Sequence, residues 1–180
     1  MTTTARDRAD ASEARLRVGS WLMGVAAAGF VAYAAVFLIL SFTSGSLELG
    51  IGREQVDVGR EEIRAFSPSL SHYLQHLHLA AAGFIAAIGA AVLFLVIFGV
   101  RRGAMWAWAG AVTATVISLG ISLPAHYPYG FDTLAHLGPV YVATVIFAAG
   151  AVVALRGLQA KRRAPGDPRR GEPRRSDGGR

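Results

Sequence analysis

Four long stretches without any Asp, Glu, Lys or Arg constrain this chain more than any other feature of its sequence. They cover residues 21–43, 79–100, 104–123 and 138–155. A helix needs roughly 20 residues to cross a hydrocarbon core of about 30 Å, and these stretches are close to that length. None shows the strict alternation that a transmembrane barrel strand requires. The sequence therefore predicts an all-α integral membrane protein with four transmembrane helices.

The amino-acid composition supports a membrane protein and excludes several kinds of functional site. Hydrophobic residues make up 53% of the 180 residues and charged residues only 17%, whereas a soluble domain carries about 25% charged residues. A soluble single-domain enzyme is therefore disfavoured. The chain has no cysteine, which excludes disulfides, thiolate catalysis, zinc ribbons, iron–sulfur clusters and c-type haem attachment.

The distribution of basic residues predicts the orientation, because Lys and Arg near membrane ends prefer the cytoplasmic side. Fifteen of the 18 Lys and Arg residues lie in the N-terminal arm (1–20), between the second and third stretches, or after residue 155. The connections 44–71 and 124–137 hold the other three. We therefore expect both termini to be cytoplasmic and these two loops to face outward. Trp21, Trp106 and Trp108 then lie at inner ends, and Tyr73, Tyr127 and Tyr129 at outer ends.

The first stretch has a second interpretation, as a secretory signal peptide. Ala32-Tyr33-Ala34 has the small-x-small pattern of a cleavage site behind basic residues and an apolar run. The apolar run continues to Leu40, however, which is longer than a signal core. A retained first helix is the favoured prediction.

Small residues at helical spacing indicate how the helices pack. Membrane helices associate where Gly, Ala and Ser let their backbones approach closely. These rows predict an antiparallel four-helix bundle for residues 21–156, although they could also serve dimerisation or contact a membrane protein partner. The rows are Gly24, Ala28 and Ala32; Gly83, Ala87 and Ala91; Gly110, Ala114 and Ser118; and Ala143 and Gly150.

Two segments outside the apolar stretches carry further expectations. In the loop 44–71, residues 54–66 could form an interfacial helix, residues 47–51 alternate like a strand, and Ser67-Pro68 predicts the start of the next helix. The basic tail 157–180 is rich in Gly and Pro and is predicted to be disordered. It either anchors the topology, which is favoured, or binds anionic lipid headgroups. Nucleic-acid binding is not expected, because the run lacks interleaved aromatic residues.

All five histidines are predicted to lie at one level, near the outer ends of the second, third and fourth helices. His72 and His76 share the helix face of Gly83 and Ala87, whereas His78 projects about 160° away from His76 and is the weaker candidate. The other candidates are His126, in a Pro-rich turn, and His136. Asp132, four residues before His136, is the candidate for holding that imidazole in one tautomer, if the fourth helix starts at Thr133 rather than at Pro139.

These histidines support three interpretations. His72, His76, His126 and His136 could ligate copper or zinc, two of them could ligate a b-type haem, or the imidazoles could act together as a pH sensor. Alternatively, each histidine simply makes local hydrogen bonds at the headgroup level. No carboxylate, Lys or Arg lies within the four stretches, which disfavours a proton pump, a voltage sensor or a charge-coupled transporter.

The sequence therefore leaves two hypotheses for function. The first is a small membrane protein whose outward-facing histidine cluster binds a metal or haem for electron transfer or metal handling. The second is a non-catalytic scaffold or accessory subunit of a larger complex. Whether the protein is an enzyme stays open. Seventeen arginines against one lysine, with abundant Ala and Gly, suggest a bacterial source and hence the plasma membrane.

Overall fold

The computed structural model describes residues 2–43 and 47–163. Within these ranges the chain is helical, apart from turns and one isolated bridge between Glu48 and Ile51. The helices are α1 (Thr2–Thr43), α2 (Arg53–Val56), α3 (Arg60–Phe66), α4 (Pro68–Phe98), α5 (Met105–Ser122) and α6 (Leu134–Arg163), with short 3-10 helices at Val100–Arg102 and Tyr127–Tyr129. The prediction of an all-helical protein is confirmed.

Four helical segments are long and apolar enough to cross a membrane: Arg6–Thr43, Pro68–Arg102, Met105–Tyr129 and Leu134–Arg163. Each contains one of the four apolar stretches of the sequence. The segments are longer than the stretches, because the helical segments continue through polar or charged residues beyond the apolar part. Helix α1 includes most of the predicted N-terminal arm, and α6 includes residues 157–163 of the predicted tail. The rest of that tail lies outside the described residues.

Helix boundaries follow local capping chemistry. Ser67 is the N-cap of α4: its hydroxyl accepts a hydrogen bond from the backbone N–H of Leu70 at 3.2 Å, and Pro68 occupies the first turn. The predicted start of this helix is confirmed. In the segment before it, residues 47–52 form a turn and not a strand, and two short helices, α2 and α3, take the place of one helix over 54–66. Arg60 links α3 to the end of α1 and to the turn by donating to the carbonyl oxygens of Ser41 and Leu47, respectively.

Helix α1 packs most extensively against α6 and then against α4, whereas α5 contacts mainly α4. Close backbone approach explains the tight α1–α6 pairing. A Cβ atom on Gly19 would lie 2.4 Å from the backbone nitrogen of Ala154, and one on Gly150 would lie 2.7 Å from that of Met23. The buried core is built from Met23, Ala26, Ala27, Val92, Val96, Val100, Ala107, Ala111, Phe147, Ala151 and Ala154.

The predicted small-residue rows on α1 and α4 do not face the core. Ala28 and Ala32 of α1 are exposed, as are Gly83, Ala87 and Ala91 of α4. The buried small residues of these helices include Ala26, Ala27, Ala82 and Gly89 instead. In stretches where nearly every residue is small or apolar, spacing alone does not identify the buried face, and the fit against the neighbouring helices decides it.

The two ends of the bundle differ in character. At one end, which we call the arginine-rich end, Arg17 and Arg101 line the same groove and the Lys161 side chain lies beside Gly103. The turn at residues 47–52 lies at the opposite end, where it contacts the start of α6. The histidines of interest are at this second end.

Candidate functional site

The site begins with a tight turn over residues 47–52. The backbone N–H of Ile51 donates to the carbonyl of Glu48 at 3.2 Å, and the N–H of Glu48 donates to the carbonyl of Ile51 at 3.3 Å. Gly50 has a φ of +72°, in the left-handed region that favours glycine. This turn presents two carbonyl oxygens and the Glu48 side chain to the helices.

The turn docks on the first residues of α6. Thr133 is positioned to cap this helix, since its hydroxyl oxygen lies 3.2 Å from the N–H of His136, and it also donates to the carbonyl of Gly50 at 3.0 Å. The Nδ1 atom of His136 lies 2.8 Å from the carbonyl oxygen of Leu49. A Cβ atom on Gly50 would lie 2.8 Å from the backbone nitrogen of His136. Glycine is therefore required at residue 50 by space as well as by backbone conformation.

The Glu48 carboxylate reaches from the turn to two helices. Its Oε1 atom lies 3.0 Å from Nε2 of His78 on α4, and its Oε2 atom lies 3.8 Å from Nε2 of His136 on α6. The side chains are 29% exposed for Glu48, 12% for His78 and 5% for His136, so this contact is largely shielded from solvent. It connects the turn, α4 and α6.

A third imidazole completes the arrangement. The rings of His126 and His136 have their centroids 5.0 Å apart, with 42° between their planes. The Nδ1 atom of His126 lies 2.7 Å from the carbonyl oxygen of Ser122, in the last turn of α5. We call Glu48, His78, His126 and His136 the histidine–glutamate cluster. Its members come from four places in the chain: the turn, α4, the connection after α5, and α6.

The hydrogen bonds define the tautomers of two of these rings. A carbonyl oxygen can only accept, so Nδ1 of His126 and Nδ1 of His136 must each carry a proton. In the neutral imidazole the Nε2 atom is then the one with a free lone pair. A backbone carbonyl that holds Nδ1–H in this way is the usual support behind a metal-ligating histidine.

The cluster also determines the charge of its carboxyl group. Burial alone would raise the pKa of Glu48, but the hydrogen bond with His78 and the charges of His78, His136 and His126 outweigh burial. The pKa of Glu48 therefore lies below its ordinary value of 4.5. At neutral pH the cluster contains a carboxylate facing three imidazoles.

The structure brings together only part of the histidine set predicted from the sequence. His126 and His136 are in contact, but His72 and His76 lie on the exposed surface of α4. His78, the weaker candidate, points inward, because α4 buries a different face from the one that its small residues indicated. Asp132 is exposed, and the group that holds Nδ1 of His136 is the Leu49 carbonyl.

From the sequence alone, His78 ranks as the weaker candidate and Glu48 is not singled out, although the position of His78 has a detectable signal. His78 lies 4 residues before Ala82, which is followed at intervals of 7 residues by Gly89 and Val96, and these three residues lie on the buried face of α4. Glu48 is the acidic residue within the alternating Leu47–Ile51 segment, but nothing in that pattern indicates where its side chain goes. Only the docking of the turn on α6 brings it to the histidines.

Across the residues that the structure describes, no group of three or more His, Asp or Glu side chains has the spacing of a ready-made metal site. The nitrogen of His136 is 3.8 Å from the carboxylate, which is longer than a hydrogen bond. The His126 and His136 rings contact each other directly, whereas two axial ligands of a haem must lie on opposite faces of the macrocycle. This arrangement disfavours a haem whose two ligands are His126 and His136.

The fold defines a broad class of protein: a multi-pass membrane protein with an all-helical structure and four candidate spans. No protein-family model, no curated protein and no solved structure matches this chain. The function must therefore be argued from the cluster and its surroundings.

Proposed function

We propose that this chain is a bacterial plasma-membrane protein whose four spans form an antiparallel bundle with both termini in the cytoplasm. Contacts along the α1–α6 pair support the antiparallel arrangement. Gly157 lies against Leu16 and Gly150 against Met23, whereas the Tyr33 hydroxyl donates to the carbonyl of His136 at 3.4 Å. Residue numbers thus rise along α1 as they fall along α6. The arginine-rich end is then cytoplasmic by the positive-inside rule, and the histidine–glutamate cluster faces outward.

The function we infer is the binding of a transition-metal ion, zinc or copper, by the histidine–glutamate cluster, for metal handling at the outer surface. The observation that carries this proposal is the convergence of three imidazoles and one carboxylate from distant parts of the chain. Imidazole nitrogen and carboxylate oxygen are ordinary ligands of zinc, and imidazole also suits copper. Binding requires the four side chains to close around the ion from their ion-free positions. An electron-transfer role would require copper, because zinc has no redox chemistry.

Titration of the detergent-purified full chain with Zn²⁺ and with Cu²⁺, followed by calorimetry and elemental analysis, tests this proposal. We expect about one ion per chain, bound at least about 10-fold more weakly in His78→Ala and in His136→Gln, since each removes a proposed ligand. His72→Ala and His76→Ala are matched controls, because these exposed histidines lie on the same helix as His78, and we expect them to change affinity less than twofold. Circular dichroism of each variant verifies that it is folded.

Two results would reject the metal site. One is the absence of stoichiometric binding of either ion to folded wild-type protein. The other is a loss of affinity in the His72 and His76 variants that equals the loss in the cluster variants, since binding would then be a general property of surface histidines.

A scaffold or accessory-subunit role is the second candidate, and one observation favours it. Gly83, Ala87 and Ala91 form a row of small residues on α4 that the bundle leaves exposed, and such rows permit close approach of another helix. We expect Ala87→Leu to abolish co-purification of a partner or a second copy without unfolding the chain. If the wild-type protein is isolated as a monomer without a partner and still binds its metal, the scaffold role is rejected.

A further inference from the structure

A groove opens between α1 and α4 at the arginine-rich end of the bundle, and it shares no residue with the histidine–glutamate cluster. Its volume is about 290 Å³. Two arginines border it, Arg17 from α1 and Arg101 from the 3-10 helix after α4. The rest of its wall is mostly apolar and includes Trp21, Gly24, Ala28 and Ile97.

The two arginines bordering the groove are not neutralised by any acidic side chain among the described residues. Both are exposed, and none of the ion pairs within residues 2–43 and 47–163 involves either of them. Their neighbour Arg102 has a different environment, since its guanidinium lies 5.7 Å from the centre of the Phe98 ring. Among the described residues, the groove therefore combines two positive charges outside any ion pair with an apolar floor.

Small side chains create the room for an apolar ligand. Gly24 and Ala28 lie one turn apart on α1, and a Cβ atom on Gly24 would be 3.8 Å from the nearest atoms, in Leu93 and Val96. The groove thus follows the α1 surface from the arginines toward the middle of the span. Trp21 stands beside the arginines and is 69% exposed, at the level where tryptophan prefers the headgroup region of a bilayer.

We propose that this groove binds one anionic phospholipid molecule, with its phosphate between Arg17 and Arg101 and an acyl chain along Gly24 and Ala28. Charge complementarity identifies the occupant: basic pockets between transmembrane helices on the cytoplasmic side are suited to anionic headgroups. Guanidinium groups match phosphate oxygens in geometry as well as in charge. This proposal concerns a site separate from the metal cluster and relies on the cytoplasmic orientation proposed above.

Native mass spectrometry of the full chain, titrated with phosphatidylglycerol or with phosphatidylcholine, tests the lipid site. The variant Arg17→Gln/Arg101→Gln removes both groove charges, and Arg15→Gln/Arg102→Gln is the matched control with the same net charge and the same pair of segments. We expect phosphatidylglycerol to bind about 30-fold more weakly to the groove variant, which corresponds to about 1 kcal/mol for each arginine. The control should lose less than about threefold, and phosphatidylcholine binding should be similar in all three proteins.

Two further measurements examine the acyl-chain part of the proposal. Ala28→Leu fills the groove without changing charge, and we expect it to weaken phosphatidylglycerol binding at least about fivefold. Inorganic phosphate at millimolar concentration should not displace the lipid, because it lacks the chain that occupies the apolar floor.

The lipid site is overturned if both double variants lose affinity equally, since diffuse basic charge would then explain binding. It is also overturned if the groove variant binds phosphatidylglycerol like wild type. Full displacement by inorganic phosphate, or unchanged binding by folded Ala28→Leu, would contradict a lipid seated in the groove. None of these outcomes depends on metal binding at the opposite end.

Discussion

The two ends of the α1–α6 pair are held together by different kinds of contact. Toward the arginine-rich end, Gly19, Gly150 and Gly157 allow the two backbones to touch. At the other end, the contact is polar: the turn at residues 47–52 inserts beside His136, and the Glu48 carboxylate reaches two histidines. One end is a steric fit between helices, and the other is a set of hydrogen bonds and charges.

This difference separates contacts that only stabilise the fold from contacts whose energy depends on pH or on a bound ion. Close packing of glycine-lined helices has no titratable group and no ligand, so it should be insensitive to pH and metal ions. A carboxylate among imidazoles changes its energy with protonation and with any bound cation. We therefore expect the packed end to act as a fixed framework and the polar end to be the part that solution conditions change. Four variants test this division.

The largest effect is expected at the packed end, for Gly19→Ala. The new methyl group would overlap the backbone of Ala154, so the helices must separate, and we expect a loss of about 2–3 kcal/mol in unfolding free energy. Thermal unfolding in detergent micelles, followed by circular dichroism, measures it. Gly29→Ala is the control on the same helix, since a Cβ atom there meets nothing within 4 Å. Equal stability of the two variants would show that close packing does not hold α1 to α6.

At the polar end, Gly50→Ala should cost about 2 kcal/mol. The alanine must adopt a left-handed conformation and would contact the backbone nitrogen of His136. Faster hydrogen exchange of the amides in residues 47–52 reports the release of the turn. Gly52→Ala serves as the control, because its φ is −141° and the space beside it is open. Wild-type protection of the turn in Gly50→Ala would contradict the docking described above.

Trp108→Phe tests a polar contact between α5 and α6. The indole N–H of Trp108 donates to the carbonyl of Ala151 at 2.9 Å and links α5 to α6. Its removal should lower unfolding free energy by about 1 kcal/mol, as measured by the same thermal unfolding. Trp106→Phe is expected to have no effect, because Trp106 is 71% exposed. If both variants behave alike, this hydrogen bond does not contribute to attaching α5.

The smallest effect is expected for Glu48→Gln, and it is confined to acidic pH. Because the folded-state pKa of Glu48 is lowered, its contribution is complete above the ordinary value of 4.5 and is lost as the pH falls through the lower folded-state value. As the pH falls from 4.5 through the folded-state pKa of Glu48, the melting temperature of the wild type should therefore fall by more than the melting temperature of Glu48→Gln. Glu54→Gln, at an exposed residue of the same loop, should follow the wild-type curve. Parallel curves for wild type and Glu48→Gln would mean that the carboxylate adds no stability.

The fold class was predictable because its signals are local. A run of about 20 uncharged apolar residues leaves the backbone no partners in lipid other than its own helix, so the four candidate spans follow from the runs themselves. The start of α4 was also predictable, because Ser67 and Pro68 act within one helical turn. The start of α6 was less certain, since Thr133, Asp132 and Pro139 all lie near it.

Only some residues of the histidine–glutamate cluster could be predicted from the sequence. That His126 and His136 approach each other follows from short connections at the same end of two spans. His72 and His76 were selected because they share a face with small residues, and that face is exposed. His78 replaces them because Gly89, on its own face, packs against Ala27 and Val31 of α1, which is a property of two helices and not of one.

Sequence alone thus determined an all-helical chain with four helices long and apolar enough to span a membrane, because hydrophobic runs and charge positions act through the surrounding solvent. Tertiary structure decided which face of each helix is buried, and with it which histidines meet. It also decided that Glu48, from a loop without a strong pattern, reaches His78 and His136. The physical reason is that apolar helices rich in Ala and Gly have several faces of nearly equal hydrophobicity, and only close packing between neighbours distinguishes them.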